Sequence, residues 1–188
     1  DSSDGSPDMV RDSFSSFQLI PSGGNLGFTR GNNLAFDRCT GDYILLLNPD
    51  TVCPAGSLAK LVQWSRNIKN LGAVSPMLTD GQGQPVITAG YFPRARFHWL
   101  GFFDPMRKLP GRWMQSRVSI IPSLDDPSCT LDYVTGACFL IPRAVLQTIG
   151  PLDQRFFMYF EETDWCWRAR QAGLDIWYCN EVEVVHLE

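Results

Sequence analysis

The residues best suited to do chemistry follow an apolar run. Tyr43–Leu47 is predicted to be a buried strand, and the polar side chains Asn48 and Asp50 come directly after it. In open α/β sheets, ligands bind beyond the carboxyl ends of the strands. A carboxylate there can hold a hard divalent cation, and that cation can hold phosphate oxygens. The pattern favours an enzyme acting on a phosphorylated substrate, although Asn-Pro-Asp is also ordinary turn chemistry.

A second group of candidates is a cluster of acids, Glu161, Glu162 and Asp164, at the start of a predicted helix. Acids at a helix N-terminus interact favourably with the helix dipole, and Asp164 could pair with Arg168 one turn later. However, the aromatic segment 156–160 immediately precedes them. An acid beside an aromatic wall is partly desolvated, which raises its pKa and suits a general base.

Two further features could contribute to binding. In the glycine-rich segment 25–33, Asn33 could hydrogen-bond a base or ribose, and Arg30 could contact a diphosphate through two parallel hydrogen bonds. The alternative is a glycine turn with helix-capping asparagines. His186 ends the last apolar strand, where it is either structural or completes a metal site with Asp50.

The elements that must position these residues alternate along the chain. Apolar spacing predicts helices over 28–39, from 54 onward, over 143–149 and over 161–172, and strands over 17–20, 43–47, 73–78, 176–179 and 182–185. This alternation predicts an α/β domain with a mostly parallel sheet covered by helices. Residues 90–130 read as a long irregular connection, rich in arginine and aromatics. It could be a binding loop for a sugar or lipid phosphate, or an ordinary surface loop.

The bulk properties exclude several classes of protein. The chain has 188 residues, enough for one domain with a core, and its net charge is −4. Without a basic run, a broad nucleic-acid footprint is not expected. No apolar stretch has the length of a membrane span. The six cysteines include no C-x-x-C pair, so free thiols in a cytoplasmic protein are expected.

Six motifs in order resemble the family 2 glycosyltransferases of the GT-A fold, most closely the rhamnosyltransferase-like subgroup that builds bacterial surface polysaccharides. The motifs are DSSDGS at 1–6, NLGFTRGNN at 25–33, GDYILLLNPDT at 41–51, DYVTGACFLIPR at 132–143, FFMYFEETDWCWRARQAG at 156–173 and VVH at 184–186. The resemblance covers nearly the whole chain outside 79–130. It implies a single GT-A domain, Rossmann-like, with helices on both faces of the sheet and a variable acceptor-side loop at about 90–130.

The resemblance implies a role for each matching residue. Nucleotide-side residues would be Asp4, Asn25, Gly27, Asn33 and Asn48; Asp50 and His186 would hold Mg²⁺ or Mn²⁺; Gly136 and Ala137 would border the acceptor site. Glu162 stands where the family usually has an aspartate base. Because Glu is longer by one methylene, the base could instead be Glu161 or Asp164.

The implied function is inverting, metal-dependent transfer of a sugar from a nucleoside-diphosphate sugar to a saccharide or lipid-linked acceptor. A lipid-linked acceptor would place the enzyme peripherally at the inner membrane face. A nucleotidyltransferase and a non-catalytic nucleotide-sugar-binding module are the alternatives. The family begins with a strand-helix-strand unit that would precede Asp1, so the chain resembles a fragment. An exposed sheet edge then predicts weak stability or a contact between chains, as in a homo-oligomer.

Overall fold

A computed structural model describes residues 4–92, 119–120 and 126–187. The helices are α1 (Ser6–Ser13), α2 (Gly27–Phe36), α3 (Ser57–Ser65), α4 (Arg143–Ile149) and α5 (Glu161–Gln171). The strands are β1 (Tyr43–Leu47), β2 (Thr51–Val52), β3 (Leu71–Thr79), β4 (Ala89–Gly90), β5 (Ser119–Ile120), β6 (Cys129–Leu131), β7 (Tyr133–Val134), β8 (Cys138–Pro142) and β9 (Asp175–His186).

The main sheet has the strand order β1-β8-β3-β9-β2, with β6 also paired to β9. The α/β class is confirmed, and the expected mostly parallel sheet is refined to a mixed one. β3 and β9 pair in parallel, whereas β8 lies antiparallel between β1 and β3. Consequently β1, β3 and β9 run in one direction. Their carboxyl ends share one edge of the sheet with the amino end of β8, and this edge carries the candidate site.

Helices cover both faces of this sheet, as predicted. Side chains of β8 alternate between the two faces, as a strand period of two requires. Phe139 packs on one side with Trp165 of α5, their rings 5.6 Å apart and nearly perpendicular. Leu140 packs on the other side in a cluster with Leu61 of α3. Burial of each such side chain contributes roughly 1.5–3 kcal/mol, so β8 fixes the position of both helical layers.

Two strands differ from expectation because of their neighbours. β1 was predicted to be fully buried, but within the described residues it pairs only with β8 and alternates between buried and partly exposed positions. The two predicted strands 176–179 and 182–185 are one strand, β9. Its pairing with β3 jumps from Pro76 opposite Cys179 to Met77 opposite Glu183. The extra residues form an irregularity that interrupts the apolar pattern.

Three other predictions need correction. Residues 17–20 form no strand, and the helix expected from Pro54 begins at Ser57. The connection 90–130 is not wholly irregular, because β5 lies within it and pairs with β4, and β6 begins near its end at Cys129. Its segments 93–118 and 121–125 lie outside the described residues, so its predicted binding role stays a prediction.

The remaining bulk expectations concern thiols and membranes. All six cysteines are free, and three of them, Cys138, Cys166 and Cys179, are buried. Cys39 and Cys129 are exposed. Within the described ranges, no helix combines the length and apolarity that crossing a bilayer needs.

Candidate active site

Asp50 and His186, predicted to share a metal site, lie side by side. β2 pairs antiparallel with the end of β9, which places Thr51 opposite His186. The His186 Nε2 atom is 3.3 Å from Asp50 Oδ1, and the Leu187 N–H donates to the Asp50 carbonyl at 2.8 Å. The Asp50 side chain is half exposed, at 48%, whereas that of His186 is 14% exposed. The Asp50 carboxylate is therefore accessible to solvent, and the His186 imidazole beside it is nearly buried.

The turn that carries Asp50 is held on both sides. The Thr51 hydroxyl donates to the Asn48 carbonyl at 2.7 Å, which closes the turn. The Asn48 N–H donates to the carbonyl of Ala137 at 2.9 Å. The turn therefore rests against residues 135–137, the short connection from β7 to β8, and the backbone of Asn48 has a positioning role whatever its side chain binds.

The donor set suits Mg²⁺ or Mn²⁺ only in part. Carboxylate oxygen and imidazole nitrogen are acceptable ligands for Mn²⁺, and Mg²⁺ prefers oxygen. Among the described residues, no group of three or more His, Cys, Asp or Glu side chains could hold a metal ion. A cation at Asp50 and His186 would therefore complete its coordination with oxygens from substrate and water. This pattern matches Mg²⁺ sites built from one or two carboxylates plus phosphates.

The glycine-rich segment, which includes the start of α2, lines a second part of the candidate site. The Asn25 Oδ1 atom accepts the Gly27 N–H at 3.0 Å, and Phe28 N–H donates to the Phe157 carbonyl at 3.0 Å. Gly27 has φ +71°, and a Cβ there would lie 2.5 Å from the Phe157 oxygen. Only glycine fits this approach. A pocket of about 220 Å³, lined in part by Asn25, Gly27 and Leu34, opens beside it.

Two of the other three predicted nucleotide-side residues, Asp4 and Asn33, bond to the backbone. The Asp4 carboxylate accepts the Ser6 N–H at 3.0 Å where α1 begins, and this hydrogen bond lowers the pKa of Asp4. Arg30 is exposed on α2. The Asn33 amide makes two bonds to the backbone of Leu152, donating to its carbonyl at 2.8 Å and accepting its N–H at 3.0 Å. Contact of any of the three with a nucleotide stays a prediction.

The three acids at the start of α5 have different environments. Burial raises the pKa of Glu162 to about 7, with a smaller contribution from the negative charge of Glu161. Glu161 is 4% exposed, burial raises its pKa, and its Oε2 atom has no hydrogen-bond partner in the described structure. The Asp164 carboxylate accepts from the Arg168 Nε–H at 2.9 Å. The environment therefore favours Glu162 as the proton acceptor and gives Asp164 the ion pair that its spacing indicated.

Most of the aromatic segment before the acids is exposed, and its predicted desolvation of the acids stays a prediction. Phe157, Met158, Tyr159 and Phe160 are each more than half exposed. The helix α5 packs on β7, and Cys166, one turn after Glu162, lies within hydrogen-bonding reach of the Val134 backbone. Tyr159 and Phe160 have φ near +70°, a conformation that costs about 1–2 kcal/mol for each residue.

One short connection, residues 135–137, adjoins several of the predicted site segments. It follows β7, on which α5 packs, and Ala137 accepts the hydrogen bond from Asn48. Gly136 lies against Phe28, so the glycine-rich segment touches the same connection. The Thr135 hydroxyl is buried without a partner in the described structure. The turn that carries Asp50 and the glycine-rich segment thus contact one connection, which directly follows the strand that α5 covers.

Sequence reasoning missed several bonds that hold the parts of the candidate site together. Arg168 donates to the carbonyls of Ile149 and Pro151 as well as to Asp164. Phe157 contributes only its backbone oxygen to Phe28. No local pattern indicates the bonds to Ile149, Pro151 and Phe157, because backbone acceptors have no sequence signature.

Comparison with known proteins decides the family. The family model described as Glycosyl transferase family 2 matches residues 1–150. The chain belongs to this family. One relative, the low-salt glycan biosynthesis hexosyltransferase Agl10 of Haloferax volcanii, is 29% identical over 171 residues, which are 89% of this chain and 50% of the relative.

A second relative is N-acetylglucosaminyl-diphospho-decaprenol L-rhamnosyltransferase of Mycobacterium tuberculosis. It is 27% identical over 200 residues, covering 98% of this chain and 63% of the relative. The chain thus spans about half to two thirds of the length of these curated relatives.

Among solved structures, the mannosyltransferase PcManGT from Pyrobaculum calidifontis, in complex with GDP-Man and Mn²⁺, superimposes with a TM-score of 0.61 at 18% identity. The match covers 98% of this chain and 44% of that one. The likeness confirms the GT-A fold predicted from the motifs.

Proposed function

We propose that this family 2 protein is an inverting, metal-dependent glycosyltransferase. It moves a sugar from a nucleoside-diphosphate sugar to an acceptor hydroxyl in the synthesis of a cell-surface polysaccharide. One observation supports the proposal: the turn that carries Asp50 rests on the connection 135–137, and α5, which begins at Glu161, packs on β7 directly before that connection. The two ends of a displacement need a charge-stabilising group and a proton acceptor, and the Asp50–His186 pair and Glu162 would supply both.

Asp50 and His186 are the residues that would hold Mn²⁺ or Mg²⁺. When bound, the cation would supply Lewis-acid stabilisation of the charge that develops on the departing diphosphate. The half-exposed Asp50 carboxylate is the accessible ligand, while β2–β9 pairing fixes the position of His186. The structure of PcManGT with GDP-Man and Mn²⁺ supports this cofactor class.

Glu162 is the proposed general base. With a pKa of about 7, it is about half ionised at neutral pH and holds a proton well enough to drive its transfer. The acceptor hydroxyl loses its proton to Glu162 as its oxygen bonds to the anomeric carbon. The bond between that carbon and the diphosphate oxygen breaks, and the electron pair leaves with the diphosphate. Attack from the face opposite the leaving group inverts the anomeric configuration.

The neighbouring acids are less well placed. Asp164 already accepts a hydrogen bond from Arg168, so its carboxylate is held in an ion pair. Glu161 is 4% exposed and thus poorly placed to meet an acceptor. Its negative charge instead helps to raise the pKa of Glu162.

The donor is proposed to lie along the glycine-rich segment, where Asn25 and Gly27 line the pocket of about 220 Å³. Asp4, Arg30 and Asn48 are the further candidates for contact with it. The acceptor is proposed to be a saccharide or a lipid-linked saccharide, as in the name of the mycobacterial relative. A lipid-linked acceptor would place the protein peripherally at the inner face of the membrane.

The test is product analysis with Mn²⁺ and a panel of nucleoside-diphosphate sugars on the intact protein. We expect free nucleoside diphosphate and a glycoside of inverted configuration. Release of pyrophosphate would establish the nucleotidyltransferase alternative. Metal-dependent donor binding without any product would establish the non-catalytic binding module.

A further inference from the structure

The segment Ile149–Phe157, here called the bracket, connects α4 to the aromatic residues before α5. We propose that the bracket couples the donor-side helix α2 to the helix α5 that bears the base, with Asn33 and Arg168 as positioning residues at its two attachments. This inference rests on the proposed function, since it concerns how α2, beside the proposed donor site, is kept in a fixed position relative to the proposed base.

The attachment to α5 uses side chains of that helix and backbone oxygens of the bracket. Arg168 donates its two terminal N–H groups to the carbonyls of Ile149 and Pro151, each at 2.9 Å. Its Nε–H is held by Asp164, also at 2.9 Å. Trp165, fully buried, donates to the Gly150 carbonyl at 2.9 Å. Three consecutive carbonyls are thus bound by one helix, and two of these bonds come from a charged donor, the stronger kind.

The attachment to α2 is made at two points of the bracket, Leu152 and Phe157. Asn33 exchanges two hydrogen bonds with the backbone of Leu152, 119 residues away in sequence. At the far end, the Phe157 carbonyl accepts the Phe28 N–H, against a glycine whose missing Cβ permits the approach. No regular secondary structure lies between these points, so the bonds to the two helices hold the bracket in place.

The position of the bracket gives these bonds a consequence for catalysis. The bracket ends at Phe157, and Glu162 follows five residues later. The intervening Tyr159 and Phe160 are held in the left-handed conformation, which persists only where surrounding structure imposes it. Loss of either attachment would let the start of α5 shift relative to α2. Donor binding would survive, because Asn25 and Gly27, which line the donor pocket, are unchanged, but the acceptor oxygen and Glu162 would lose alignment.

The test measures kcat and the KM for the donor in the intact protein with Asn33→Leu, Arg168→Gln and both changes together. We expect each single change to lower kcat about tenfold and to change KM less than threefold. Each substitution removes one attachment of the same segment, so their effects should overlap. The kcat of the double variant is therefore expected to be no more than about threefold below that of the worse single variant. Asn33→Asp, which keeps the acceptor for the Leu152 N–H, is expected to retain more kcat than Asn33→Leu and serves if the latter fails to fold.

The matched control is Arg155→Gln. Arg155 belongs to the bracket and hydrogen-bonds to Asp153. Its side chain is 86% exposed, and its interaction with α5 is the solvent-screened charge of Asp164 and not a hydrogen bond, so kcat should stay within twofold. Unchanged kcat in the single variants, or independent losses that multiply to about a hundredfold, would overturn the coupling. So would a rise in KM alone with Asn33→Asp, which would mark direct donor contact. An inactive wild-type protein would refute the proposed function instead.

Discussion

Replacing Glu162 by Gln should make the protein more stable at high pH while removing its turnover. Burial raises the pKa of this carboxyl from the ordinary 4.5 to about 7, so ionising it in the folded state costs free energy. A group with a raised pKa contributes stability that is fully present below its unfolded value and is lost as pH rises. For Glu162 the loss falls between pH 4.5 and about 7.

The size of the effect follows from the same two values. Each pH unit between them corresponds to roughly 1.4 kcal/mol, so the largest possible gain at pH 8 is about 3 kcal/mol. Relaxation and water penetration reduce this figure, and we expect about 1–3 kcal/mol for Glu162→Gln above pH 7. Near pH 4.5 the variant and the wild type should have nearly equal stability. Gln cannot accept the acceptor's proton, so kcat should fall at least about a hundredfold.

The assay is denaturant unfolding at several pH values, together with transfer rates and donor titration. Donor affinity should stay within about threefold, because the metal pair is untouched. Glu181→Gln is the matched control, since Glu181 is exposed and its Oε1 accepts from Trp64, a role that the Gln amide oxygen can keep. It should change neither turnover nor the pH dependence of stability. Retained turnover in Glu162→Gln, or no gain in stability at pH 8, would refute the assignment.

Three other perturbations test the walls of the site. Asp50→Ala should abolish metal-dependent donor binding by calorimetry and His186→Ala should weaken it at least about tenfold, whereas unchanged affinities would exclude the metal pair. Gly27→Ala should destabilise the fold by at least about 2 kcal/mol, because alanine is strained in the left-handed conformation and its Cβ would lie 2.5 Å from the Phe157 oxygen. Gly31→Ala is the control, since its Cβ would meet nothing within 4 Å, and thermal unfolding should show no such loss of stability. Thr135→Val should leave stability equal or higher, because it removes an unpartnered buried hydroxyl, yet raise the acceptor KM; an unchanged KM would remove Thr135 from the acceptor site.

Local sequence patterns predicted the bounds of some strands and helices around the candidate site. The strand Tyr43–Leu47 and the helix Arg143–Ile149 form with the predicted bounds, since their apolar periods and the Gly150 stop act locally. The pairing of Asp50 with His186 was also predicted, through the resemblance to a family. Residue spacing alone left it open, because it depends on β2 joining the end of β9 across more than 130 residues.

Long-range pairing explains what the sequence did not predict. The mixed sheet arises because β8 enters between β1 and β3 in the antiparallel direction, and apolar runs carry no direction. Asn33 was assigned to the nucleotide by its position in a motif, whereas its amide is bound to Leu152. A side chain that bonds to backbone leaves no complementary residue in the sequence.

The most direct test of the central claim is to locate Mn²⁺ by anomalous diffraction in crystals grown with Mn²⁺ and a nucleoside diphosphate. The account predicts a single strong peak at the carboxyl edge of the sheet, within about 2.5 Å of an Asp50 carboxylate oxygen and of His186 Nε2, in contact with diphosphate oxygens. A peak elsewhere, or diphosphate bound away from Asp50 with no metal beside it, would contradict the account.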